Sequence, residues 1–165
     1  MIFVTVGTQK FQFNRLLAWI DELVAEGKIK DEVFAQIGNS TYQPKGYKFT
    51  QFVSPHQFAD LVGECTTYIT HGGVGSLVQG LNAGKKVIAV ARLAKFDEHI
   101  DDHQLQITGK YASLGYIMLA DSKEGLLECI NNADKFNSSY KKTANSAIAI
   151  CDYIDNFIKT GGKTK

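Results

Sequence analysis

Apolar residues recur along this chain in two periods, and their alternation predicts an architecture. Residues 2–6, Ile-Phe-Val-Thr-Val, form a short β-branched and aromatic run closed by Gly7, the pattern of a buried strand. Phe13, Leu16, Leu17, Ile20, Leu23 and Val24 then follow at helical spacing until Gly27 stops them. A second apolar run covers residues 33–37 and ends at Gly38-Asn39-Ser40. A third covers residues 47–53, after the Pro44-Lys45-Gly46 turn. Ser54-Pro55 reads as an N-cap with proline at the first helical position, and Phe58, Leu61 and Val62 give that helix an apolar face.

The same alternation continues downstream. Residues 66–70 predict a fourth strand, a glycine turn follows, and a helix runs to about Ala83 with Gly84 as its C-terminal glycine. Residues 86–91 are nearly all apolar, as suits a strand covered on both faces. A loop over 92–101, a helix over 103–114, a short strand over 116–119 and a helix over 123–133 complete the series. Strand and helix in regular alternation predict an α/β fold, a Rossmann-like, doubly wound parallel sheet. In such sheets ligands bind beyond the carboxyl ends of the strands, near the point where strand order reverses. Gly7-Thr8, the glycine turn and Asp97-Glu98-His99 should gather there.

The turn Thr70-His71-Gly72-Gly73-Val74-Gly75-Ser76 follows a strand and opens a helix. Glycines let the backbone approach a phosphate closely and take left-handed angles. The free N–H groups and the dipole of the helix N-terminus favour an anion, and Ser76 adds a hydroxyl. A tight strand-to-helix turn without a ligand is the plainer account, but three glycines with His and Ser exceed what a turn needs. The turn lacks the Gly-Lys-Ser/Thr ending of a Walker A loop. It also departs from the dinucleotide fingerprint, because the third glycine is misplaced and the turn follows strand four.

The segment from Phe96 to Gln104 holds Asp97, Glu98, Asp101, Asp102, His99 and His103. His99 and His103 have helical-pair spacing, yet no glutamate follows the first histidine as a zincin site requires, so no metal is expected. Asp102, His103 and Gln104 suit hydrogen bonds to sugar hydroxyls at a helix start; a solvated acidic N-terminus fits equally well. Near the end of the chain, Ala147, Cys151, Ile154 and Ile158 form one helical stripe, and Ile150, Tyr153 and Phe157 an adjacent one. That arc either docks on the domain or meets another protein.

Composition narrows the picture. The 165 residues predict one domain over 1–160 with a frayed tail over 161–165, long enough to bury a core without staples. A net charge of +1 gives no basic field for nucleic acid. Cys65, Cys129 and Cys151 are odd in number and lie far apart, which argues against zinc and disulfide frameworks and for buried thiols in a reducing cytoplasm. No apolar run is long enough to span a bilayer and residues 1–7 lack the marks of a signal peptide, so any membrane contact is expected to be peripheral or through a partner.

Three motifs in order give the sequence a family likeness: residues 2–8 with Phe13-Asn14-Arg15-Leu16, residues 70–76, and residues 98–104. Over about residues 1–120 the chain resembles the soluble subunit of two-component β-glycosyltransferases. These include the bacterial capsular and exopolysaccharide pairs and the eukaryotic pair acting on dolichol-linked oligosaccharide. All are similar to the C-terminal half of GT-B glycosyltransferases, the family 28 C-terminal domain. The resemblance implies a UDP-sugar donor, with galactose favoured, and transfer to a lipid-linked saccharide in polysaccharide biosynthesis. It places Gly7 and Thr8 near the diphosphate and Phe52, Val53 and Ser54 at the uracil loop. Gly72, Gly73, Gly75 and Ser76 fall at the phosphates, and His103 and Gln104 at the donor sugar, with His99 and Asp102 shaping that loop. One departure stands out: where relatives carry a glutamate that grips the ribose, this chain has Gln79, a neutral amide that holds a diol less strongly.

The implied reaction is inverting hexosyl transfer without a cofactor or metal, the fixed N–H donors stabilising the leaving diphosphate. A GT-B site needs two facing domains, so a membrane-associated partner is expected to supply the acceptor groove and the base, with His71 and His99 as candidates within the chain. A non-catalytic regulatory or scaffold subunit and a nucleotide sensor are the alternatives. A UDP-sugar epimerase needs both domains in one chain.

Overall fold

The computed structural model describes residues 1–142. The C-terminal stripes, Cys151 and the proposed tail lie outside the described residues. Six strands form one fully parallel sheet: β1 (Ile2–Thr5), β2 (Val33–Gln36), β3 (Lys48–Thr50), β4 (Thr67–Thr70), β5 (Lys86–Ala89) and β6 (Met118–Leu119), in the order β3-β2-β1-β4-β5-β6. Between them run α1 (Asn14–Ala25), α2 (Pro55–Glu64), α3 (Val74–Asn82) and α4 (His103–Ser113), and α5 (Lys123–Asn132) follows β6. This is the doubly wound α/β architecture that the alternation predicts.

The two-residue period of a strand explains both layers. Ile2 and Val4 of β1, Ile69 of β4 and Ile88 of β5 point to one face, where they meet Leu16, Leu17, Ile20 and Leu23 of α1 and Leu126 of α5. Phe3, Tyr68, Val87 and Ala89 point to the other, against Val62 of α2, Leu77 and Leu81 of α3 and Tyr111 of α4. Burying each large aliphatic side chain contributes roughly 1.5–3 kcal/mol. Gly80 lets α3 lie close to the sheet, because a Cβ there would overlap the Tyr68 ring.

The stop and start signals act as read. Ser54 caps α2 in a reciprocal box: its hydroxyl accepts from the Gln57 N–H, and its own N–H donates to Gln57 Oε1. Gly27 and Gly84 have φ of 67° and 68° behind α1 and α3. Three expectations change. The run over 47–53 pairs only at Lys48–Thr50, because β3 is an exposed edge strand. The expected loop over 92–101 contains one 3-10 turn, Ala94–Phe96, after which Asp97 takes a left-handed φ of 55°. Cys65 is buried as expected, but Cys129 is only half-buried.

Candidate functional site

The strand order reverses between β1 and β4, whose parallel ends stand side by side with Thr5 opposite Thr70. Their loops therefore leave the sheet together. Gly7 and Gly72 turn with φ of 77° and 82°, angles that favour glycine. A cleft of about 520 Å³ opens there, lined on one side by Gly7, Thr8 and Gln9 and on another by His71, Gly73, Gly75 and Ser76. Val53, Pro55 and Phe58 form its apolar wall, and Gln79 reaches it one turn beyond Ser76. Gly73 is the N-cap of α3, and no side chain caps the amides of that first turn. Uncapped N–H groups at a helix N-terminus are donors for an anion.

Two of the glycines in this cleft, Gly7 and Gly73, make room for His71. Its ring lies against both loops: a Cβ at Gly7 would come within 2.6 Å of Cε1, and one at Gly73 would overlap Nε2. At Gly72 a Cβ would sit 2.5 Å from Thr108 Cγ2, so that glycine is required by packing on α4. Gly75 has open space above it. His71 is 6% exposed. Burial first, and the nearby Arg92 charge second, push its pKa down to about 3, so the imidazole is neutral at physiological pH.

Two residues outside the recognised motifs hold the β1 loop. Gln36, buried at the end of β2, donates through Nε2 to Gly7 O at 3.0 Å and Gln51 O at 3.1 Å, and its Oε1 accepts from the Thr5 hydroxyl. Arg92, fully buried after β5, donates through Nη2 to Val6 O at 2.6 Å and Phe11 O at 3.2 Å. A polar residue at the end of an apolar strand run is the one signal of either in the sequence. Arg15 makes a two-pronged ion pair with the buried Glu98, Nε to Oε1 at 2.8 Å and Nη2 to Oε2 at 2.7 Å, which ties α1 to the loop after β5.

The acidic segment is an internal network. Asp101 accepts from the His103 N–H at 3.0 Å and contacts the ring nitrogens of His99 at 3.1 Å and His103 at 2.9 Å. Asp102 Oδ1 accepts from the Ala94 N–H at 2.9 Å and so folds the loop back on itself. Gln104 is buried, its Oε1 taking the Arg92 N–H at 3.3 Å. His99 packs beside Phe11, the ring centroids 5.3 Å apart and the planes tilted by 40°. Among the described residues no group of three His, Cys, Asp or Glu stands where it could hold a metal ion.

The structure thus brings Gly7, Thr8, Val53, Gly73, Gly75, Ser76, Gln79 and His71 to one cleft. Ser54 lies beside it as the cap of α2, and Phe52 is exposed. Asp102, His103, Gln104 and His99 stand on or beside the loop leading into α4, outside the cleft wall.

An open parallel sheet with an uncapped, glycine-lined cleft at its switch point defines a Rossmann-like α/β domain. The chain belongs to the glycosyltransferase family 28 C-terminal domain family, whose model matches residues 1–156. It is 25% identical over 155 residues to the UDP-N-acetylglucosamine transferase subunit ALG13 of Homo sapiens, covering 88% of this chain and 13% of that protein. The chain therefore spans only a small part of that curated relative. The solution structure of an ALG13 superposes with a TM-score of 0.57 at 19% identity, covering 90% of this chain and 92% of that one. Os79 from O. sativa, solved in complex with UDP, superposes with a TM-score of 0.58 at 14% identity, covering 94% of this chain and 40% of that one. The fold is that of GT-B glycosyltransferases. Among the described residues no helix is long and apolar enough to cross a membrane.

Proposed function

We propose that this chain is the UDP-sugar-binding half of an inverting hexosyltransferase whose acceptor half belongs to a membrane-associated partner. The observation that carries the reading is the cleft itself: the uncapped α3 amides at Gly73–Ser76 face Gly7 and Thr8 across a space with an apolar wall. A diphosphate fits the amides, a uracil fits the wall at Val53, and a ribose falls near Gln79. The family, and a relative whose name includes UDP-N-acetylglucosamine transferase, support a UDP-sugar donor. Galactose as the transferred sugar and a lipid-linked saccharide as acceptor complete the proposal, with the chain at the cytoplasmic face of the membrane through its partner.

In the reaction the acceptor oxygen forms a bond to the anomeric carbon as the bond from that carbon to the diphosphate breaks. The electron pair stays on the diphosphate, where the amides stabilise it without a metal. The attacking hydroxyl must lose a proton. Among the described residues lining the cleft, His71 alone is ionisable, and its depressed pKa makes it a weak base. This supports a base supplied by the partner.

Calorimetry with UDP, followed by saturation-transfer binding of UDP-galactose, UDP-glucose and UDP-N-acetylglucosamine, tests the donor site. The chain should bind UDP and prefer one sugar, yet transfer it only when the partner is added. No binding of UDP would overturn the assignment, and full turnover on lipid acceptor by this chain alone would overturn the divided site. Gln79 on the cleft wall favours a second reading, a UDP-sugar-binding regulatory or scaffold subunit, since an amide grips a ribose less firmly than a carboxylate. Absence of transfer with the partner present would select it.

A further inference from the structure

Arg92 is the largest of the fully buried side chains in the described fold. Its guanidinium is fully buried, and two of its nitrogens, Nε and Nη1, have no hydrogen-bond partner. The third, Nη2, donates to Val6 O and Phe11 O, the two ends of the loop that carries Gly7, Thr8 and Gln9 into the cleft. Its flank is the Phe13 ring, 5.5 Å from Cζ. Glu98 is the carboxylate that acts on it, but Glu98 gives both oxygens to Arg15 and Oε2 also to the Leu93 N–H at 2.9 Å. Two buried or half-buried cations thus share one carboxylate, leaving a net positive charge beneath the β1 loop. An uncompensated buried charge destabilises a fold, whereas an apolar side chain of similar size would not. The carbonyl bonds alone do not account for it, because a neutral donor could make one.

We propose that Arg92 is a positioning residue for the donor diphosphate: it clamps the β1 loop at both ends and supplies the fixed positive charge that the phosphates complete. The inference rests on the UDP-sugar reading of the cleft. Arg92 Nη2 lies 2.6 Å from Val6 O, one residue before Gly7 of the cleft wall. A ligand dianion above the loop is the missing counter-charge, and in a buried setting such a pair is little screened by salt. Uridine, which lacks phosphates, gains nothing from Arg92.

The test uses R92Q, which keeps a donor for a loop carbonyl and removes the charge, and R92K, which keeps the charge. Calorimetry with UDP and saturation transfer with uridine should show R92Q losing about tenfold or more in UDP affinity with uridine unchanged, and R92K remaining within about threefold of the parent. R92Q binding UDP as tightly as the parent chain, losing UDP and uridine alike, or matching R92K would overturn the charge assignment. Should R92Q not fold, the parent chain still decides. Its sequence contains two arginines, Arg15 and Arg92, so arginine-labelled protein shows two Nε resonances. The Arg92 resonance should shift with inorganic pyrophosphate and with UDP but not with uridine, and equal insensitivity to all three overturns the proposal. A parent chain that fails to bind UDP sinks the donor-site reading instead.

Discussion

At the scale of single residues, the glycine turn serves two neighbours at once. Gly73 is both the cap of α3 and the space into which the His71 ring fits. A side chain there would displace an imidazole that is itself wedged against Gly7, so one substitution disturbs both walls of the cleft. Gly73→Val should therefore abolish calorimetrically detectable UDP binding, with Gly75→Ala, at a position with open space, keeping most of it. Unchanged affinity in Gly73→Val would remove the turn from the phosphate site. The residues that sequence reading overlooked, Gln36 and Arg92, lie one loop away from the motifs they support. Nothing in their spacing marks them, because their partners are backbone carbonyls of other elements.

At the scale of elements, the connection between β2 and β3 hangs on one carboxylate. Asp21, on the buried side of α1, accepts from the Tyr42 hydroxyl at 2.8 Å and from the N–H groups of Lys45, at 3.0 Å, and Gly46, at 2.6 Å. Burial pushes its pKa up, but these hydrogen bonds outweigh burial and hold it below the ordinary carboxylate value. Replacing it leaves three donors to find new partners. Asp21→Ala should lower unfolding free energy by about 2–4 kcal/mol, read as a lower urea midpoint at unchanged slope. An effect below about 0.5 kcal/mol would mean that water satisfies the turn equally well. Helical spacing placed Asp21 between apolar positions of α1 without revealing this role, since its partners lie over twenty residues away.

At the scale of the whole molecule, two buried groups far apart in the chain, His71 and Asp21, couple stability to pH. His71 has a folded pKa of about 3 against an ordinary 6.5, so the unfolded chain binds its proton first as pH falls. Its contribution is complete above pH 6.5 and is lost as pH drops toward 3, at up to ~1.4 kcal/mol per pH unit. Asp21, also depressed, adds a loss below its ordinary value of 3.8. Thermal melting between pH 8 and 4 should show a falling Tm that begins near pH 6.5, with the onset removed in His71→Gln. A flat profile would mean that the imidazole stays hydrated in the folded chain.

The sequence alone carried the order of elements, the helix caps at Ser54 and Gly84, and the three family motifs, because each depends on neighbours within a few residues, and the parallel α/β class followed from the alternation of elements. It left undecided what the segment from residue 96 to 104 does. Tertiary structure showed Asp101 holding the His103 N–H, Asp102 holding the Ala94 N–H just before that segment, and Glu98 paired with Arg15. Only the strand order places Thr5 beside Thr70, and so sets Gly7 against His71 across one cleft. The burial of Arg92 is likewise a property of that packing. A cation's distance from water depends on what covers it, and here the cover comes from loops more than eighty residues away in the chain.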